Sequence, residues 1–286
     1  MPSNINILCI GDVVGKPGRD VLADHLPQLI TDREIDLVVC NAENASGGSG
    51  LTPQAYEKLL KCGVDAITMG DHVYRKRQII PVLEQSDRIV RPANLPVSAA
   101  GKSVITVPVK SGAREAAVTC LLGQLYMKTA DSPWQAADRI LRSISPDVKI
   151  RIVDFHAEAT SEKIGMGWFL NGRATIVFGT HTHVKTADHR ILDGGTAYIS
   201  DVGMTGPHDS ILGRRKDRVL KFMTTSMPAT FEIAPGDPRI QAVLVAADPS
   251  TGKALSIEPI EICGQAHPGD IYNSDDGWGH KKNNKK

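Results

Sequence analysis

The sequence predicts an α/β protein. Short apolar runs rich in β-branched residues recur along the chain and read as buried strands. Helical patterns with N-terminal signals lie between them, as in chains that build a mostly parallel sheet. Several of these strands also end on polar residues, where open α/β sheets collect their ligands.

Taken in order, Asn4–Ile10 is the first strand, and Gly11-Asp12-Val13-Val14-Gly15 ends it sharply. Lys16-Pro17-Gly18 opens a helix with Leu22, Leu26, Leu29 and Ile30 on one face, and Pro27 is expected to kink it. A second strand, Asp36–Cys40, leads into Asn41-Ala42-Glu43-Asn44 and the glycine-rich loop 46–50. Thr52 then caps a helix with Pro53 at its first position, and Gly63 closes it. Asp65–Met69 forms the third strand and ends at Gly70-Asp71-His72.

After Ile89-Val90-Arg91 the pattern loosens. Ser103–Val109 and Glu115–Leu122 read as paired strands around the turn-prone Lys110-Ser111-Gly112. Ser132-Pro133-Trp134-Gln135 has the capping-box pattern and starts a helix that turns Ala137, Ile140, Leu141 and Ile144 inward. Lys149–Phe155 is a strand ending in His156, and a helix over roughly 161–170 follows. Ala174–Phe178 is a buried strand ending in Gly179-Thr180-His181-Thr182-His183. In extended backbone, positions i and i+2 share a side, so both imidazoles are expected to face one point. Ala197–Ser200, a loop at Asp201–Pro207 and strands at Ile240–Val245 and Ala254–Ile262 complete a domain over 1–268. The polar segment 269–286 lacks the apolar content to pack and reads as a disordered tail.

Composition narrows the function. With 286 residues and 41% hydrophobic content, the chain can bury a sizeable core. A net charge of +1 gives no electrostatic case for a stable nucleic-acid or membrane partner, and no apolar run is long enough to span a bilayer. The 5 cysteines are scattered through apolar runs without a CxxC pattern, as expected of free thiols in the reducing cytoplasm. A homo-oligomer is compatible with this composition.

Asp12, Glu43-Asn44, Asp71-His72, His156 and the His181/His183 pair all stand at strand ends. Singly, each has an ordinary explanation: Asp12 as a helix cap, Glu43 as a loop carboxylate, Asn44 as a turn residue, His156 as a satisfied core histidine. Together, carboxylates, an amide and imidazoles exceed what one four-coordinate ion uses, and suit two transition-metal ions sharing a carboxylate.

The order Gly11-Asp12, Glu43-Asn44, Gly70-Asp71-His72, His156, Gly179-Thr180-His181-Thr182-His183 resembles the calcineurin-like metallophosphoesterases, and more narrowly their YmdB-like branch, over nearly the whole chain up to about Ile262. The resemblance implies a four-layer α/β/β/α sandwich and two ions, iron or manganese. It implies that Asp12, Asn44 and His183 hold one ion, that Asp71, His156 and His181 hold the other, and that Glu43 bridges. His72 matches the family's catalytic proton donor. The implied activity is hydrolysis of phosphodiester bonds in small substrates, cyclic nucleotides such as cyclic AMP, by a metal-bridged hydroxide. Position 14 is Val14 where the broad superfamily has the histidine of Asp-x-His, a loss shared by the YmdB-like branch. Asp71 stands where the superfamily has Gly-Asn-His; it keeps an oxygen ligand and adds a negative charge.

Other readings fit these residues less well. Amidohydrolases place His-x-His after their first strand, whereas here it comes late. Gly11–Gly15 lacks GxGxxG spacing, which argues against a dinucleotide site. A non-catalytic metal-dependent regulatory or binding protein is the alternative class. The loop Gly47-Gly48-Ser49-Gly50 reads as a flexible turn, and the basic runs Arg75–Arg77 and Arg214–Lys216 read as solvated faces.

Overall fold

The computed structural model describes residues 4–110, 114–127 and 129–266. Strand β1 (Ile5–Ile10) is followed by the two-residue β2 (Asp12–Val13), helix α1 (Gly15–Asp32), β3 (Leu37–Asn41), α2 (Pro53–Lys61), β4 (Ala66–Thr68), α3 (Ile80–Gln85) and β5 (Ile89–Val90). Next come β6 (Val104–Val109), β7 (Arg114–Leu122), α4 (Pro133–Ser143), β8 (Ile150–His156), α5 (Thr160–Phe169) and β9 (Ile176–Thr180). The chain continues with β10 (Arg190–Ile191), β11 (Ala197–Ile199), β12 (Met204–Pro207), α6 (Lys216–Thr225), β13 (Pro238–Ala247) and β14 (Ala254–Cys263).

These strands form two sheets. The first has 8 strands in the order β2-β12-β13-β1-β3-β4-β5, with β14 on β13; the second has 6, in the order β10-β11-β9-β8-β7-β6. Within the first, β1, β3, β4 and β5 run parallel; within the second, β7, β8, β9 and β11 do.

The period-2 alternation of strand side chains explains the layering. On β1, Ile5, Ile7 and Cys9 enter a core shared with Ile150, Ile152, Ile176 and Phe178 of the second sheet. Leu8 and Ile10 point the other way, against α1, α2 and α3. Val153, Phe155 and Val177 likewise turn outward to α4 and α5. Helices therefore cover both outer faces, and the order is α/β/β/α, as the family resemblance implied.

Several expectations are refined. Thr52 caps α2 by accepting from the Ala55 N–H, and Ser132 caps α4 by accepting from the Gln135 N–H. Helix α1 runs through Pro27 without ending there. The Asp201–Pro207 stretch is not wholly loop: β12 pairs with β2 and β13, a role hidden by its glycine and proline. Helices α3 and α6 and strand β10 were not read from the sequence. The predicted Ser111-Gly112 turn and the tail 269–286 lie outside the described residues. Among the described residues no helix is long and apolar enough to cross a membrane.

Candidate metal centre

The parallel strands of both sheets deliver their carboxyl ends to one rim. Asp12 lies on β2, Glu43 and Asn44 follow β3, and Asp71 and His72 follow β4. From the second sheet, His156 is the last residue of β8, and His181 and His183 follow β9. All eight residues singled out in the sequence meet there. Asp12, Glu43, Asn44 and His156 are buried and form the floor. Asp71, His72, His181 and His183 are only partly covered and form the mouth.

Two groups of side chains share Glu43. In one, Glu43, Asp71, His156 and His181 each offer a donor atom within 4.8 Å of the others. His156 Nε2 stands 3.4 Å from Glu43 Oε1, 3.6 Å from Asp71 Oδ1 and 3.0 Å from His181 Nδ1. In the other, His183 Nε2 is 3.7 Å from Asp12 Oδ1 and 3.2 Å from Asn44 Nδ2, and that amide donates to Glu43 Oε1 at 3.1 Å. The Asn44 oxygen faces His72 Nδ1 at 2.8 Å. Gly70 has to be glycine: a Cβ there would collide with the Glu43 carboxylate and the His156 ring.

The donor set fits a cation. Asp12 Oδ1 is buried without a hydrogen-bond donor, an arrangement that costs free energy unless a positive charge faces it. Mixed carboxylate and imidazole donors suit first-row transition metals. The carboxylates and imidazoles also shift one another strongly. Burial works to raise the Glu43 carboxyl, yet the His156 and His72 rings hold it well below the usual carboxylate range. Burial works to lower His156, and the Glu43, Asp71 and Asp12 carboxylates push it well above its ordinary value. Burial raises Asp12, with Asp201 and Glu43 adding to it, while His183 and His156 oppose. Burial and the neighbouring His156 lower His181 to about 3.

The expected extended His-x-His does not occur. Strand β9 stops at Thr180, and His181 and His183 have φ of 93° and 61°. L-residues adopt positive φ at a cost, and such strain persists where surrounding contacts enforce it. Those contacts are present. The His181 N–H donates to Asp12 Oδ2 at 3.0 Å, and the Thr182 N–H and hydroxyl both donate to Asp201 Oδ2. The buried Lys163 ammonium bridges Asp201 and Thr182 at 2.7 and 2.9 Å. His183 Nδ1 meets the Leu212 carbonyl at 3.2 Å, which suits an Nδ1–H and turns Nε2 toward Asp12 and Asn44.

Val14, where the broad superfamily has its histidine, is buried, and added side chains at Gly206 and Gly213 would strike it. Arg75–Arg77 are exposed, as the sequence reading has them. Arg214 instead donates to the carbonyls of Gly47, Gly48 and Phe231, so the glycine-rich loop is tied down. Sequence reasoning missed Asp154, which is fully buried beneath the basin and accepts from Asn41, Thr68 and Thr180. Burial pushes its carboxyl up to about 6, against the pull of His156 and these donors. The available signal was an acidic residue inside the run Ile150–Phe155, two positions before His156 and thus on the same face.

Fold and site together define a class, the two-sheet α/β proteins that gather metal-ligand groups where the sheets meet. Comparison with known proteins narrows it. A family model described as YmdB-like protein matches residues 8–260, and the chain belongs to that family. It is 44% identical over 258 residues to the 2′,3′-cyclic-nucleotide 2′-phosphodiesterase of Bacillus subtilis (strain 168), covering 90% of this chain and 97% of that protein. It is 35% identical over 270 residues to a putative phosphatase/phosphodiesterase of Mycoplasma pneumoniae, covering 92% of this chain and 94% of the other. A crystal structure described as a novel phosphatase from Mycoplasma pneumoniae superposes with a TM-score of 0.86 at 34% identity, over 94% of this chain and 97% of that one. A hypothetical protein from Thermus thermophilus gives 0.85 at 37% identity, over 91% and 99%. The two curated relatives are named as a phosphodiesterase and a putative phosphatase/phosphodiesterase, and the Mycoplasma structure as a phosphatase, so the chain belongs with phosphoester hydrolases.

Proposed function

We propose that this protein is a binuclear metal-dependent phosphodiesterase of the cytoplasm, acting on small phosphodiesters of the 2′,3′-cyclic nucleotide type. The observation that carries this is the pair of ligand groups sharing Glu43. Asp12, Asn44 and His183 are assigned to one ion, Asp71, His156 and His181 to the other, and Glu43 to both. Iron and manganese suit the oxygen-and-imidazole donor set. The expectation of cyclic AMP is revised, because the name of the Bacillus relative points to the 2′,3′ ring. The 5 free thiols, four of them buried, support a reducing compartment.

Two bound ions would supply Lewis acidity and an activated water. The chain's own groups account for the rest. Buried Glu43 and Asp12 give the floor a fixed negative charge that binds cations, and Asp12 also pins the His181 backbone. His72 is held mainly through its backbone and Nδ1: its N–H donates to Glu43 Oε2 at 2.9 Å, its Nδ1 lies 2.8 Å from Asn44 Oδ1 and 3.1 Å from Glu43 Oε1, and its Nε2 has only the more distant Asp71 Oδ2, at 3.9 Å. An Nδ1–H satisfies both oxygens and leaves Nε2 to give a proton to the departing ribose oxygen. A sugar alkoxide is a poor leaving group, so a positioned acid matters here.

Metal analysis of the purified protein with a substrate panel tests the proposal. The expected result is two transition-metal ions per chain and faster turnover of 2′,3′-cyclic than of 3′,5′-cyclic nucleotides. Undiminished turnover after chelation would overturn the metal assignment. Bound metal without turnover of any phosphodiester would favour the non-catalytic regulator.

A further inference from the structure

The inner faces of both sheets are apolar along most of their length and change character at one end. Alternation places Leu37 and Val39, then Asn41, toward the opposite sheet, and does the same for Ala66 followed by Thr68. On the second sheet Ile150 and Ile152 are followed by Asp154 and His156, and Ile176 and Phe178 by Thr180. Asn41, Thr68, Asp154 and Thr180 are all fully buried. They form a polar layer between the apolar core and the basin, and none of them has a place in the assignment above.

We infer that Asp154 is a positioning residue for the metal centre: through Thr180 it fixes which nitrogen His156 turns to the ion, and through Asn41 it fixes Glu43. This rests on the metal-centre reading. The Glu43 N–H donates to Asn41 Oδ1 at 3.1 Å, which settles the orientation of that amide, so Asn41 Nδ2 donates to Asp154 Oδ2 at 2.9 Å. The Thr68 hydroxyl donates to the same oxygen. Thr180 Oγ1 lies 2.7 Å from Asp154 Oδ1 and 2.8 Å from His156 Nδ1. A carboxylate only accepts, and a hydroxyl carries one proton. Thr180 therefore donates to Asp154 and accepts from His156, so Nδ1 carries the ring proton. In the neutral ring that metal binding requires, the lone pair is left on Nε2, the atom that faces Glu43, Asp71 and His181.

An amide at position 154 cannot reproduce this. With its oxygen toward Thr180, its NH2 opposes the NH2 of Asn41. Turned over, it makes Thr180 an acceptor and aims the hydroxyl proton at His156. Groups that orient metal-bound histidines are typically worth ~10–100-fold in metal affinity.

The test is Mn²⁺ affinity, by competition with a chelating dye, for wild type, Asp154→Asn, Thr180→Val and Thr180→Ser, with circular dichroism as the check on folding. Asp154→Asn and Thr180→Val should bind ~10–100-fold more weakly, and Thr180→Ser should restore near wild-type affinity because it keeps the hydroxyl. In zinc-loaded, 15N-labelled protein the His156 Nδ1–H should give a protected resonance that Thr180→Val loses and Thr180→Ser keeps. Folded Thr180→Val with wild-type affinity and an intact Nδ1–H signal overturns the inference while leaving the metal centre standing, even if Asp154→Asn fails to fold. Wild type that takes up no metal overturns the metal-centre reading, and this inference with it.

Discussion

The two sheets bring different chemistry to the basin and hold it differently. The first contributes Asp12, Glu43, Asn44, Asp71 and His72, and none of these has positive φ. The second contributes His156, His181 and His183, and the latter two sit in left-handed backbone. Acidic charge thus comes from relaxed backbone, while two of the second sheet's three imidazoles come from a strained turn pinned by Asp12, Lys163 and Asp201. Three carboxylates crowded on one side repel one another and need positive charge opposite. An imidazole tolerates strain if its lone pair is aimed correctly. Neither sheet can assemble the site alone, which explains why it lies where they meet.

The strongest way to break this comparison is to remove the side chain that belongs to both groups. Glu43→Ala should lose both metals and reduce turnover by ~10³-fold or more, because bound metals typically supply several kcal/mol of transition-state stabilisation. His183→Ala should lose mainly one. Metal-to-protein ratios after gel filtration distinguish the two, and equal retention in both variants would remove Glu43 from its shared position.

His72 belongs to the acidic side by sequence but is assigned no metal. His72→Ala should keep both ions and lose ~10²–10⁴-fold on ribose esters. The loss should be much smaller on nitrophenyl esters, whose leaving group needs no proton. Equal losses on the two substrates would make His72 a binding residue.

The backbone contrast gives a smaller effect with a sign. At positive φ a Cβ costs roughly 1–2 kcal/mol, so His183→Gly should be more stable than His183→Ala by about 1 kcal/mol. At Asp12, in strand backbone, the order should reverse by roughly 0.5–1 kcal/mol. Denaturant unfolding in excess chelator keeps metal binding out of both comparisons. The same order at both positions would mean that the turn carries no strain.

How far the sequence revealed the site follows the same division. The acidic side was legible because each candidate ligand closes an apolar strand and stands near a glycine: Gly11 before Asp12, Gly47 after Glu43 and Asn44, Gly70 before Asp71. His156 was legible as the end of its strand. The geometry of His181 and His183 was not, since their φ is set by bonds to Asp12 and Asp201, 169 and 19 residues away from their donors. Asp154 was passed over because the run around it is apolar and the groups that satisfy it come from β3, β4 and β9. Strand β12 was hidden by Gly206 and Pro207, which pair only because β13 flanks them, as β2 flanks Met204 and Thr205. Helix α6 leaves Leu220, Phe222 and Met223 exposed, so its apolar residues give no single inward face to read.

The smallest effect lies at the outer edge of the imidazole side. His181 turns Nδ1 toward His156 and Nε2 toward Glu158 Oε2, 3.2 Å away. A carboxylate on the outer nitrogen of a ligating imidazole holds the ring and strengthens its donor atom. Glu158 is 48% exposed, however, so water screens it and competes for the same nitrogen. Glu158→Gln keeps an acceptor in place and removes only the charge. It should weaken Mn²⁺ binding less than ~10-fold, below the range expected for the buried Asp154, and the deficit should shrink as salt rises. A loss as large as that of Asp154→Asn, unchanged at high salt, would show that the strained turn depends on Glu158 for its shape, and the imidazole side would then be held from solvent as well as from the core.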